Sequence, residues 1–150
     1  MKKWSMAFIF ICAVILVGIG YHKYFFSFDI LGEGTYYKGP CESPNGTYTA
    51  DSYYQTYGGA AGGAKIWIQI TNEENDESQF IYYSDGKSNF DVKWVAEHTI
   101  FIKNNEGPAY PEADRSISLE IGNEIYDESG RACDSWVMKE EYNKCYENKL

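Results

Sequence analysis

The chain has 150 residues, 13 of them basic and 22 acidic, for a formal net charge of −9; this is one domain's length and excludes a large multidomain enzyme. No acid precedes Asp29, so residues 27–150 hold 10 Lys/Arg against 22 Asp/Glu, a balance of −12. A surface so charged repels polyanions, and nucleic acid is not an expected partner.

From Trp4 to Tyr21 run 18 consecutive uncharged, mostly apolar residues, preceded by Lys2-Lys3 and followed by His22-Lys23. That length reaches the lower end of a bilayer-spanning helix. Trp4 marks one rim, and Tyr21, Tyr24, Phe25 and Phe26 mark the other, as an interfacial aromatic belt would. A cleaved signal peptide competes with this reading, because Gly18 and Gly20 place small residues before a cut. A lipoprotein does not fit, since Ile11 stands before Cys12 where lipidation requires a small residue; Cys12 reads as an apolar side chain. Lys2, Lys3 and the terminal amine outnumber Lys23, so the N-terminus is expected in the cytoplasm and the remainder outside. The expected division is a tip and transmembrane helix over 1–26, a spacer rich in Gly and Pro over 27–42, and an extracytoplasmic β domain over 43–150. If the helix is cleaved, the domain is secreted. Asn45-Gly46-Thr47 is a chance glycosylation sequon and is given no role.

With Cys12 in the membrane, Cys41, Cys133 and Cys145 are the candidates for one disulfide. Cys133–Cys145 would close a short loop, and Cys41 with either would tie the two ends of the domain; spacing does not choose. No CxxC or Cys/His cluster exists, so no metal site is expected.

Ser43-Pro44-Asn45-Gly46 is turn chemistry and opens a first strand over Thr47 to Tyr54. The glycine-rich run 58–63 interrupts it. Lys65 to Thr71 then alternates, with Ile66, Ile68 and Ile70 on one face and Trp67 on the other. After the acidic loop Asn72 to Glu77 comes a short strand from Gln79 to Tyr83. Phe90, Val92 and Trp94 alternate, as do Ile100 and Ile102, and the short Ala96-Glu97-His98 link makes these two runs a hairpin. Ile117, Leu119 and Ile121 supply a sixth strand. From Asp134, a candidate N-cap, the pattern of Trp136, Val137, Met138, Tyr142, Cys145 and Tyr146 predicts a short amphipathic helix. The expected fold is mainly β: a small antiparallel sheet curled into a sandwich or half-barrel after the N-terminal helix.

No constellation points to catalysis. The 58–63 run fails as a phosphate loop because Ala64 and Lys65-Ile66 stand where Lys-Ser or Lys-Thr is needed. The acids 73–77 lack the ordered spacing of a calcium loop and read as a solvated surface. His98 is the single imidazole of the expected exported domain, and no triad is assigned to it. No cofactor is expected. Aromatics are the unusual feature, at 19 of the 124 residues in 27–150. Trp67, Tyr53 and Phe101 fall opposite the Ile rows and are the candidate binding residues, since flat rings with polar tips stack on sugars or anchor protein partners. Packing alone also places Tyr and Trp in strands. The function expected is that of a non-enzymatic envelope module binding a protein or wall component, and the alternative is a hydrolase with a carboxylate pair that the sequence does not display.

Ser43-Pro44-Asn45-Gly46-Thr47-Tyr48-Thr49, the Gly/Ala-rich link before Lys65-Ile66-Trp67-Ile68, and the run from Val92-Lys93-Trp94-Val95 to Thr99-Ile100-Phe101-Ile102 together resemble a family of small membrane-anchored proteins of Gram-positive bacteria, itself a domain of unknown function. The likeness covers about residues 42–103. It implies one N-terminal helix and an extracytoplasmic β domain, and brings no catalytic residues.

Overall fold

The computed structural model describes residues 2–24, 26, 28 and 34–139. Helix α1, Lys2–Tyr24, carries the apolar run. Within Met6–Lys23 none of it is buried, and its length and composition suit a membrane anchor or a signal peptide. Apolar on every side, it has no face to pack on a soluble core.

Eight strands follow: β1 (Thr35–Glu42), β2 (Tyr48–Tyr57), β3 (Gly63–Asn72), β4 (Glu77–Asp85), β5 (Asn89–Ala96), β6 (Thr99–Asn105), β7 (Ile117–Glu120) and β8 (Tyr126–Asp127). They form a five-stranded sheet in the order β1-β2-β3-β4-β8 and a three-stranded sheet in the order β5-β6-β7. All pairings are antiparallel except β4 with β8. The larger sheet's inner face presents Ile66, Ile68 and Ile70, and the smaller sheet answers with Val92, Ile100, Ile102 and Leu119, all in one buried cluster. The strict period of two puts each Ile row on one side, and burying each such side chain contributes about 1.5–3 kcal/mol. The two sheets are a sandwich, not a closed barrel.

The seams between the sheets are polar. Along β1 and β5, Trp94 Nε1 donates to the Cys41 carbonyl at 2.8 Å, and Glu97 accepts from Ser43 Oγ and the Asn45 N–H, each at 2.7 Å. At the other seam Tyr82, wholly buried, donates to the Arg115 carbonyl at 3.0 Å and accepts from Asn104 Nδ2 at 2.8 Å. Glu128 lies beside them and accepts from Arg115 Nε, Ser84 Oγ and the Asp85 N–H, each at 2.7 Å.

Two expectations change. The stretch 35–42, assigned to the spacer, is β1, paired along β2 from Thr35↔Tyr54 to Glu42↔Thr49. Its register shifts twice, and Gly39 adopts φ +146°, which L side chains rarely reach. These irregularities erase the alternation by which a strand is recognised. The helix expected from Asp134 is absent over 134–139. Turns carry the chain instead, and Met138 bridges Ile125 in parallel, with Ile125 N–H donating to the Val137 carbonyl at 2.7 Å and Lys139 N–H to the Ile125 carbonyl at 3.0 Å. This pairing buries Ile125 and Met138, and it takes the backbone groups a helix would need. Tyr142, Cys145 and Tyr146, like Phe25, lie outside the described residues.

Candidate functional site

The registers of four strands converge on one row. Tyr36 of β1 stands opposite Tyr53 of β2, Tyr53 opposite Trp67 of β3, and Trp67 opposite Tyr83 of β4. The result is an aromatic ladder across the outer face of the five-stranded sheet. Tyr53 and Trp67 stack at 6.5 Å and 19°, and Tyr36 meets Tyr53 edge-on at 5.9 Å. Offset and edge-on rings at these separations each add about 0.5–1.5 kcal/mol beyond buried area. Lys65 Nζ and the Arg131 guanidinium lie over the Tyr83 ring, at 5.9 and 5.8 Å from its centroid.

The ladder is covered by its own chain. Trp67 is only 2% exposed although it points away from the core. Gly34 lies so close above it that an added Cβ would stand 2.1 Å from the indole. Phe28, 6% exposed, tilts against Tyr83 at 6.3 Å and takes Phe26 edge-on at 5.1 Å. Phe26, expected in the membrane belt, therefore packs against the sandwich core. The segment between α1 and β1 is thus docked at these described positions.

The residues singled out from sequence separate. Trp67 and Tyr53 share the ladder, whereas Phe101 sits on the outer face of the other sheet, with Lys93 Nζ 5.2 Å from its ring centroid. Sequence reading overlooked Tyr36, Tyr83, Phe28 and Gly34. The signal was available for Tyr83, which follows Trp67 in register across the hairpin joining β3 to β4; Gly34 has no local signature. Cys41 is a free, half-buried thiol, and Cys12 is free as well; Cys133 is disulfide-bonded. Cys145 lies outside the described residues. Among the described residues, no group of three or more His, Cys, Asp or Glu is arranged to hold a metal ion.

A cleft of about 400 Å³ opens at one end of the sandwich, walled by Tyr48, Asn72, Glu77, Ser78, Gln79, Ile121 and Gly122 over a floor of Ile70. Tyr48 pairs with Asn72, and Asn72 with Glu77, so these side chains form the last row of the larger sheet. His98 meets the Tyr48 ring at 5.5 Å with its plane at 70°. The acids beside this end serve the turn: Glu73 Oε1 accepts from Thr49 Oγ1 at 2.5 Å, and Asn75 Nδ2 donates to Glu77 Oε2 at 3.0 Å.

Glu128 is the carboxylate whose proton affinity departs furthest from the ordinary. Burial alone would raise it, but the Arg115 ion pair, the Asp85 N–H and the Ser84 hydroxyl outweigh burial and hold the pKa down at about 2. The group is ionised and fully engaged, the state of a structural pair rather than of a proton donor.

No curated protein and no solved structure matches the chain. A family model does, over residues 1–110, a span that takes in α1, the ladder and the larger sheet's wall of the cleft. With most of its length matched, the chain belongs to a family of unknown function, DUF5412.

Proposed function

We propose that the protein is a single-pass envelope protein, anchored by α1 with its N-terminus in the cytoplasm, whose acidic, aromatic-rich sandwich acts outside as a non-enzymatic binding or interaction domain. The observation that carries this is the distance along the chain from anchor to domain. α1 ends at Tyr24, and Phe28 is already buried against the outer face of the larger sheet. Four residues span at most about 14 Å. A helix suited to the bilayer interior is thereby joined to a folded unit with almost no slack, so the sandwich rests at the membrane surface.

The basic residues flanking the helix agree with this orientation, with Lys2, Lys3 and the terminal amine on one side of the apolar run and Lys23 on the other. A disulfide at Cys133 fits an oxidising compartment.

Membrane fractionation tests the anchor. The full-length mass should remain in the membrane pellet after alkaline extraction. A mature chain lacking α1, recovered from the medium, would overturn it in favour of a secreted domain. Turnover of wall fragments by the full chain, abolished by one Asp or Glu substitution, would replace the binding reading with the hydrolase one.

A further inference from the structure

We infer that the end cleft binds a neutral oligosaccharide bearing hydroxyl and amide groups, with Tyr48 as its stacking wall and Asn72, Glu77 and Gln79 as its hydrogen-bonding groups. The inference deepens the proposed function and rests on reading the sandwich as a binding domain.

The cleft opens where both sheets end: Tyr48, Asn72 and Glu77 form the last row of the larger sheet, and the Thr99↔Glu120 pair is the last of β6 with β7. At this end the smaller sheet finishes at Ile121 and Gly122, and the inner face of β3 and β4 emerges as a floor. Its volume lies within the roughly 300–1,000 Å³ usual for small-ligand clefts.

The lining selects the ligand's chemistry. Tyr48 is held before any ligand arrives, stacked on Trp94 at 6.1 Å and 20° with His98 at its edge. Trp94 is itself fixed by its bond to the Cys41 carbonyl. Such a ring offers a flat apolar surface suited to the C–H face of a pyranose, at little cost in lost rotamer freedom. Asn72 spends its Oδ1 on the Glu74 N–H at 2.9 Å, which orients its NH₂ as the donor available to a ligand. Glu77 commits Oε2 to Asn75 and keeps Oε1 as an acceptor. Gln79 stands exposed in the same wall and supplies both a donor and an acceptor.

Charge narrows the class. Of the acids in the adjoining loop only Glu77 lines the cleft, and the remaining lining groups are neutral. That suits a neutral polar ligand better than a cationic peptide, and the balance of −12 disfavours an anionic one. The anchor segment covers the outer face of the larger sheet, whereas the cleft is built on its inner face.

Calorimetric titration of the full chain, held in a non-glycosidic detergent, tests the inference with triacetylchitotriose, cellotriose and trilysine as probes. Triacetylchitotriose should bind saturably, and cellotriose, which lacks amides, more weakly. Gln79→Ala and Glu77→Gln should each weaken binding about three- to tenfold, the worth of one hydrogen bond. Gln79 is exposed, so its variant should fold, and Lys103→Ala on the other sheet should bind as the parent does. No saturable sugar binding at millimolar concentration, or binding that both variants leave unchanged, would overturn the inference. So would binding of trilysine instead, abolished by Glu77→Gln, which would assign the cleft to a cationic peptide. An inward-facing domain would defeat the proposed placement without altering this titration, and absent sugar binding by an outward-facing domain would defeat the cleft assignment alone.

Discussion

Glu128 shows how one side chain can tie stability to pH. Its folded pKa of about 2 lies below the ordinary carboxyl value of 4.5. The ion pair with Arg115 therefore stabilises the fold fully above the ordinary value, and that contribution is lost as pH falls toward the folded one. The difference corresponds to roughly 3 kcal/mol. Glu128→Gln should lose about that amount at neutral pH, because it leaves the Arg115 charge half-buried beside a neutral amide. Urea unfolding at neutral and acid pH would show the parent losing this increment and the variant lacking it; parallel losses in both would refute the assignment. Gly34 makes a second prediction. Gly34→Val forces a branched side chain into the Trp67 indole, and the outcome expected is destabilisation by about 1–3 kcal/mol, measured by thermal or urea unfolding. Neither residue stands out in the sequence, since one is an acid among 22 and the other a glycine in a stretch without periodicity.

The elements divide by the regularity of their pairing. β2 and β3 pair without interruption from Tyr48↔Asn72 to Tyr57↔Gly63, and both were legible because turn residues bound them and Ile alternation runs through β3. The hairpin of β5 and β6 was legible for the same reason, with Glu97-His98 as its turn. β1 was not, because Gly39-Pro40 and two register shifts obscure its face. β8 has only two residues and is recruited by the edge of β4 rather than by any pattern of its own. The C-terminal helix failed because its apolar spacing suits two geometries, and pairing with Ile125 won. Of the candidate site, Trp67 and Tyr53 were legible as outer-face residues, but that Gly34 covers Trp67 depends on contacts across distant parts of the chain. Ile68→Ala should cost about 2–5 kcal/mol, since Ile68 is wholly buried between the sheets. Phe28→Ala should act differently: the sandwich keeps its fold, but the strap lifts and the Trp67 indole meets water. A red-shifted Trp emission with an unchanged far-ultraviolet spectrum is the expected result; an unshifted emission would show that Phe28 does not hold the strap.

At the scale of the whole molecule, an unburied apolar helix precedes a two-sheet sandwich, with Phe28 and Gly34 docked on the outer face of the larger sheet between them. Trp67 and Tyr53, offered by the sequence as binding residues, stand in the ladder on which Gly34 and Phe28 pack, and the open cleft lies on the opposite face of the same sheet. The proposed function requires the sandwich to stand outside the membrane. Lys103→Cys places a thiol on the exposed outer face of β6, and labelling intact cells with a membrane-impermeant thiol reagent reads its side directly. The full-length variant should be labelled from outside without lysis, and the parent, with Cys41 half-buried and Cys133 bonded, far less. Labelling of the variant only after the cells are broken open would place the sandwich in the cytoplasm and overturn the proposed orientation.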